Sequence, residues 1–166
     1  MDQKVVGLGA AVAIGLAVVG ISLTPVQAQG KGIVSSASGA GQITVGDDLR
    51  TFSFTAQRDS SNTTRGQAQL INRNSGNRFH MTINCLSVAG NVATMSGVVT
   101  NSTADGTPFG EGNPVWFQVV DNGEGKNAPP DLISLVVFFF GPPGVPCTSP
   151  VIPANIPVEG GNIQVR

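Results

Sequence analysis

The sequence predicts an all-β protein, a single antiparallel β-barrel or β-sandwich of about eight or nine strands. Three observations indicate this class. Short segments alternate apolar and polar residues with a period of two, which places the apolar side chains on one face of a strand. Clusters of Gly, Asn, Asp and Ser separate these segments and favour turns. No helical period follows Ala28, and the chain contains 22 Gly and 11 Pro among its 166 residues.

The predicted strands follow one another at short spacing. In residues 51–57, Phe52, Phe54 and Ala56 share one face. The alternation continues in two further strands, at Gly66, Ala68 and Leu70 and at Phe79, Met81, Ile83 and Cys85. Four more strands are predicted at residues 92–100, 114–121, 131–140 and 161–166. Turn-forming clusters lie between them, at residues 46–48, 59–62, 74–77, 89–91 and 122–125.

One predicted strand is apolar on both faces. Residues 132–140 read LISLVVFFF, so this strand needs a cover on its outer side as well as on its inner side. Residues 141–157 are rich in Pro and favour an extended polyproline II conformation. We therefore expect the Pro-rich segment at 141–157 to cover the strand, held down through Cys147.

The first 28 residues have the pattern of a secretory signal peptide. Lys4 precedes an apolar stretch from Val5 to Leu23, and the small-residue pattern Val26-Gln27-Ala28 follows. This predicts cleavage after Ala28, a secreted protein, and a single extracellular domain at residues 29–166. The apolar stretch is also long enough to span a bilayer, so a retained membrane anchor is the alternative.

The predicted mature chain keeps both cysteines, Cys85 and Cys147. An exported chain with an even number of cysteines most simply forms a disulfide. The two residues are not in a CxxC motif, and one His cannot complete a four-ligand zinc site. The sequence therefore predicts a structural Cys85–Cys147 disulfide and no metal or other cofactor.

Charge and composition exclude several classes of function. Nine basic residues stand against ten acidic residues, a net charge of −1, so no strong field attracts nucleic acid or anionic lipid. No apolar stretch after Ala28 is long enough to span a membrane as a helix. The single histidine, His80, lies on the polar face of its strand, where a surface position is expected. These observations favour a protein that is not an enzyme.

The loop DNGEGKNAPPD is the densest cluster of oxygen ligands. Asp121, Asn122, Glu124 and Asp131 are candidates for a weak calcium site, although their spacing does not match an EF-hand. The competing interpretation is a turn whose carboxylates accept backbone N–H groups. Glu111, Asp121 and Glu124 are also the nominees for the paired carboxylates of a hydrolase.

The long loops predict a candidate partner-binding rim. In an up-and-down meander, the loops at residues 101–113 and 141–160 lie at the same end as the turn at 74–77. Phe109, Glu111 and Trp116 are the candidate rim residues. Trp116 is out of phase with Val115 and Phe117, so burial beneath another segment is the favoured alternative for its side chain.

Five short segments carry a family resemblance: Phe52-x-Phe54; Val88-x-Gly90-Asn91-x-Ala93 with Gly97; Phe117-x-Val119-Val120-Asp121-Asn122-Gly123-Glu124; Asp131-x-Ile133-Ser134; and Gly160-Gly161-Asn162-Ile163-Gln164-Val165. They resemble the post-COAP-type domain of secreted bacterial proteins, over nearly all of the mature chain. The resemblance implies an exported bacterial all-β domain that accompanies other surface modules. It implies no activity and no ligand residues. The cysteine pair and the Pro-rich segment depart from the family pattern.

The leading expectation is a secreted, non-enzymatic β-domain that binds or packs against an extracellular or cell-surface component. One alternative is a β-barrel whose interior carries a small apolar ligand. A third is a hydrolase that uses carboxylates. The sequence names no partner, and a monomer is the working expectation.

Overall fold

The computed structural model describes residues 32–103, 109–125, 127–138, 147–148 and 153–166. The predicted fold class is confirmed: within these ranges the chain is all-β and no helix is present. The strands are β1 (Ile33–Val45), β2 (Asp48–Asp59), β3 (Thr64–Asn72), β4 (Arg78–Ala89), β5 (Val92–Ser102), β6 (Pro114–Val120), β7 (Leu132–Ile133), β8 (Val137–Phe138), β9 (Ile156–Pro157) and β10 (Gly160–Val165).

The strands form one curled, half-barrel sheet. Nine of them follow each other in the order β10-β1-β2-β3-β4-β5-β6-β7-β9, and β8 pairs with β6 beside β7. Every pairing is antiparallel, and β1 to β6 form an up-and-down meander. The β1–β2, β3–β4 and β5–β6 connections therefore lie at one end of the sheet. We call this end the mouth.

The core fills the inner side of the curl. The alternating residues Phe52, Phe54 and Ala56 of β2 face it, as their period of two predicts. Residues of β4, β5 and β6 complete the core, chiefly Phe79, Met81, Ile83, Leu86, Met95, Val99, Val115, Phe117 and Val119. The rings of Phe54 and Phe117 meet edge to face across the curl, with centroids 5.6 Å apart, so the inner side is packed rather than hollow.

The corner between β9 and β10 joins the two edges of the sheet. β9 pairs with β7 at one edge, and β10 pairs with β1 at the other. Between them, the Val158 N–H donates to the Asp131 carbonyl at 2.8 Å and the Glu159 N–H donates to the Gln42 carbonyl at 3.0 Å. A few residues thus hold β1 and β7 together, which supports the curl of the sheet.

A bulge in β4 corrects one expectation from the sequence. Alternation predicts that Cys85 shares the inner face with Ile83, but the register with β5 shifts between these two residues. Because a bulge inserts one extra residue, the side chains beyond it exchange faces. Leu86 therefore joins the core, and Cys85 does not.

The strand predicted at residues 131–140 is interrupted. β7 and β8 both pair with β6, and Ser134 lies between them. The Ser134 hydroxyl accepts the Gln118 N–H at 2.9 Å and donates to the Leu135 carbonyl at 2.8 Å. The segment from β7 to β8 carries one residue more than β6 can pair. The Gln118 N–H of β6 is therefore bound by the Ser134 side chain and not by a backbone carbonyl.

The predicted signal peptide and the predicted Pro-rich cover fall wholly or partly outside the described residues. The signal peptide at 1–28 lies entirely outside them. Within the Pro-rich segment, residues 147–148 and 153–157 are described, and of these Cys147 and Ala154 are buried. The covering role of residues 141–157 therefore stays a prediction. The described ranges contain no helix with the length and hydropathy needed to cross a membrane.

Candidate functional site

The mouth of the sheet carries a cleft with a volume of about 160 Å³. The residues that line it come from β2, β3, β4 and the β5–β6 loop: Arg50, Leu70, Asn72, Asn77, Arg78, Phe79 and Phe109. We call it the mouth cleft. Leu70, Phe79 and Phe109 supply its apolar part, and the rings of Phe79 and Phe109 have centroids 5.2 Å apart. The cleft therefore combines an apolar surface with arginine and asparagine side chains.

Arg50 occupies an inward position on β2, two residues before Phe52. Asp48, in the same phase, begins β2, so Arg50 and Asp48 both lie where the inner face of the strand reaches the mouth. Its nearest acidic group is Asp48, with Arg50 Nη2 and Asp48 Oδ2 3.7 Å apart. The same carboxylate oxygen accepts a hydrogen bond of 3.0 Å from Asn72 Nδ2. Arg50 Nε is buried and has no hydrogen-bond partner within the described residues.

Arg78 begins β4 beside the same cleft and is exposed. Its backbone is held in place, because the Arg78 N–H donates to the Thr103 hydroxyl at 3.0 Å. Two arginines from separate strands thus reach one cleft, and none of its described lining residues is acidic. The same end of the sheet also carries Asp47, Asp48 and the exposed Glu111, so the excess of positive charge is confined to the described lining of the cleft.

The predicted rim is brought together only in part. Phe109 lines the mouth cleft, and Glu111 is exposed in the same loop. Trp116 is 0% exposed, so its side chain is not on the rim. Arg50 and Arg78 were not among the sequence candidates. Arg50 had one signal in the sequence, since its polar side chain falls in phase with the apolar positions Phe52 and Phe54.

Trp116 lies on the opposite face of β6 from the core, together with the disulfide. Its Cα partner on β5 is Ser96, and the partner of Ser96 on β4 is Cys85. Cys85 and Cys147 form the predicted disulfide, and the Cys147 N–H donates to Cys85 Sγ at 3.1 Å. Trp116, Ser96 and Cys147 are all buried. The bulge in β4 is what places Cys85 on this outer face.

The carboxylates of the DNGE loop accept backbone N–H groups. Asp121 accepts the Gly123 N–H through Oδ1 and the Val165 N–H through Oδ2, each at 2.9 Å. Asp131, which is buried, accepts the Asn122 N–H at 2.9 Å and the Ile163 N–H at 2.7 Å.

The N–H groups of Ile163 and Val165 belong to the edge of β10 that faces away from β1. We call this pair of carboxylates, Asp121 and Asp131, the edge clasp. It satisfies edge donors that a sheet would otherwise leave unpaired.

The remaining ligands of the proposed calcium cluster also have partners. Asn122 Nδ2 donates to the Pro130 carbonyl at 2.7 Å, and Glu124 Oε1 accepts Asn162 Nδ2 at 2.7 Å. No group of three or more His, Cys, Asp or Glu side chains suited to a metal ion occurs among the described residues. The contacts are those of a turn whose side chains stabilise the backbone.

The topology separates Glu111 from Asp121 and Glu124, the other two nominees for a hydrolase. Glu111 precedes β6 and Asp121 follows it. Since β6 contains seven residues, the two carboxylates lie at opposite ends of the sheet, roughly 20 Å apart at the rise of an extended strand. Paired carboxylates of a glycoside hydrolase are about 5–10 Å apart. Glu111 and Asp121 therefore cannot act on one glycosidic bond in this fold.

His80 lies half-buried on the outer face, where its Cα partners are Gln69 and Asn101. It lines a shallow groove with Ser53, Thr55, Gln67 and Gln69, all polar and uncharged. No described acidic side chain lines that groove, so nothing described there orients His80 as a base toward the Ser53 or Thr55 hydroxyl.

The inner side of the sheet holds little free space. The crevice between Phe52, Phe54, Met81 and Phe117 has a volume of about 20 Å³. A cavity of about 10–15 Å³ already holds one water, so this crevice has room for little more than a water and is too small for an apolar ligand.

Comparison with family models, with curated proteins and with solved structures finds no match to this chain.

Proposed function

We propose that this protein is a secreted, non-enzymatic β-domain that binds an extracellular or cell-surface component through its mouth. The observation that carries the proposal is the mouth cleft itself. It joins an apolar surface, formed by Leu70, Phe79 and Phe109, to two arginines, of which Arg50 has the Asp48 carboxylate 3.7 Å away and Arg78 has no ion pair with a described residue. Apolar anchors beside arginine are the composition that recognition surfaces favour.

The size of the cleft favours a macromolecular partner over a carried small molecule. Pockets for complete small ligands typically enclose about 300–1,000 Å³. The mouth cleft offers about 160 Å³, well below that range. That is enough for one side chain or terminal group of a larger partner. The small interior crevice argues against the alternative of a barrel that carries an apolar ligand.

Two further features support an exported role. The disulfide between Cys85 and Cys147 suits an oxidising compartment. The apolar stretch before Ala28 supplies an export signal, and the resemblance to the post-COAP-type domain suggests a module that acts beside other surface domains. The proposal assigns no catalytic residue: Asp121 and Asp131 accept backbone N–H groups, and Glu124 accepts the Asn162 side-chain amide.

The test is retention of a partner by the immobilised protein from the extracellular and cell-surface fraction of the producing organism. The variants are Arg78→Glu, at an exposed position of the cleft, and Phe109→Ser. The matched control is Arg65→Glu, which reverses an exposed charge at the opposite end of β3 from the mouth. We expect the wild type and the control to retain the same component and both cleft variants to lose it. Equal retention by all four proteins would place binding elsewhere, and no retention by the wild type would overturn the proposal.

A further inference from the structure

The mouth cleft has the donors for an anion and lacks a described acceptor for them. Arg50 Nε is buried without a hydrogen-bond partner. Because Nε is buried, an anion in the cleft would meet the exposed part of the guanidinium, since the Arg50 side chain as a whole is 23% exposed. Asp48 does not satisfy the guanidinium, because its nearest oxygen is 3.7 Å from Arg50 Nη2, beyond hydrogen-bond distance, and is engaged by Asn72.

The second arginine strengthens the preference for a carboxylate. Arg78 lines the same cleft and takes part in no ion pair with a described residue. A guanidinium presents parallel N–H groups that match the two oxygens of a carboxylate. Leu70, Phe79 and Phe109 form the rest of the surface. The cleft therefore suits a molecule that carries a carboxylate next to an apolar group.

We propose that the mouth cleft binds the C-terminal residue of a polypeptide that ends in an aliphatic residue. The groups recognised are the terminal carboxylate and the apolar side chain on the same α-carbon. The carboxylate lies against Arg50 and Arg78, and the side chain packs on Phe79 and Phe109. The volume of about 160 Å³ suits one such residue. This inference rests on the proposed function and specifies the chemical group that the partner presents.

The probes are N-acetyl-leucine, which carries the carboxylate, and N-acetyl-leucinamide, which has the same side chain but no charge. Binding is followed by the NMR shifts of the Phe79 and Phe109 amides and of the Arg50 Nε–H during titration. We expect the acid to shift these signals with saturation and the amide to bind at least about tenfold more weakly, since every factor of ten is about 1.4 kcal/mol.

Variants separate the role of charge from that of folding. Arg78→Gln, at an exposed site, should weaken binding of the acid about tenfold, the loss expected for one charge-assisted hydrogen bond. Arg50→Lys keeps the charge but loses the planar fork, and should weaken binding as well. Arg65→Gln should have no effect. Unchanged amide spectra outside the cleft confirm that each variant is folded.

The outcomes distinguish this inference from the proposed function. Equal binding of acid and amide, or no saturable shift with the acid, overturns the carboxylate assignment. If the acid fails but the partner is still retained in a manner that depends on Arg78 and Phe109, the ligand class is wrong and the proposed function stands. If both experiments fail, both are wrong.

Discussion

Removal of the buried Asp131 carboxylate should open the edge clasp and destabilise the protein. Asp131 Oδ2 accepts the Ile163 N–H at 2.7 Å, and Oδ1 accepts the Asn122 N–H at 2.9 Å. In Asp131→Ala both donors lose their acceptor. The Ile163 bond is buried, so water cannot replace the carboxylate there, whereas the Asn122 bond is only partly buried.

The magnitude follows from these two contacts. A hydrogen bond to a charged group contributes about 1.5–3 kcal/mol. We expect Asp131→Ala to lower the free energy of unfolding by about 3–5 kcal/mol, a large share of the roughly 5–15 kcal/mol of an ordinary domain. Asp131→Asn keeps one acceptor but turns an NH₂ donor toward one of the two N–H groups, so we expect about 2–4 kcal/mol.

Urea denaturation measures the free energy, and hydrogen exchange of the Ile163 amide reports the clasp itself. The matched control is Asp47→Asn, an exposed carboxylate in the β1–β2 turn, expected to change stability by no more than about 0.5 kcal/mol. If Asp131→Ala does not fold, hydrogen exchange of the Ile163 amide in Asp131→Asn provides the test. The reasoning is refuted if Asp131→Asn matches the control in stability and the Ile163 amide keeps its protection.

Three other predictions concern the disulfide, a bulge and export. The double variant Cys85→Ser with Cys147→Ser lacks the cross-link between residues 62 apart, so its free energy of unfolding should fall by up to about 4 kcal/mol. Binding of a hydrophobic dye should rise if the Pro-rich segment is a cover. Unchanged stability would contradict the structural role of the disulfide. Gly97→Ala should destabilise the protein strongly, because a Cβ there collides with the Thr82 carbonyl oxygen. Gly160→Ala serves as the control in the same melting experiment, because the nearest atom to its Cβ is Gln42 Nε2 at 3.4 Å. Exported protein should begin at Gln29 by intact mass, and full-length chain in the membrane fraction would show a retained anchor instead.

The sequence predicts the meander well where alternation is strong. Strands β2 to β6 and β10 occur where the period of two places them, and the turns between them carry the predicted Gly and Asn residues. Alternation is a local property, since neighbouring side chains on one extended segment point to opposite faces whatever surrounds them. For the DNGE loop, one of the two interpretations of the sequence was a turn whose carboxylates accept backbone N–H groups, because Asp and Asn in such loops commonly do so.

Strand β1 shows what alternation misses. Its sequence, IVSSASGAGQITV, is rich in Gly, Ser and Ala, which have low strand propensity, and it was not among the predicted strands. The structure explains these small residues. A Cβ on Gly39 would come within 2.8 Å of the Phe54 ring, and one on Gly41 would meet the Gly160 carbonyl oxygen. The residues are small because partners distant in sequence lie against them.

The sequence by itself determined the class of fold, most strands, the cysteine pairing and the presence of Phe109 on the rim. Only the tertiary structure decided that a bulge carries Cys85 to the outer face, that Asp121 and Asp131 clasp the edge of β10, and that Arg50 and Arg78 share one cleft. The reason is physical. Face alternation depends on neighbours along the chain, whereas bulges, edge contacts and clefts depend on how strands far apart in sequence pair and curl.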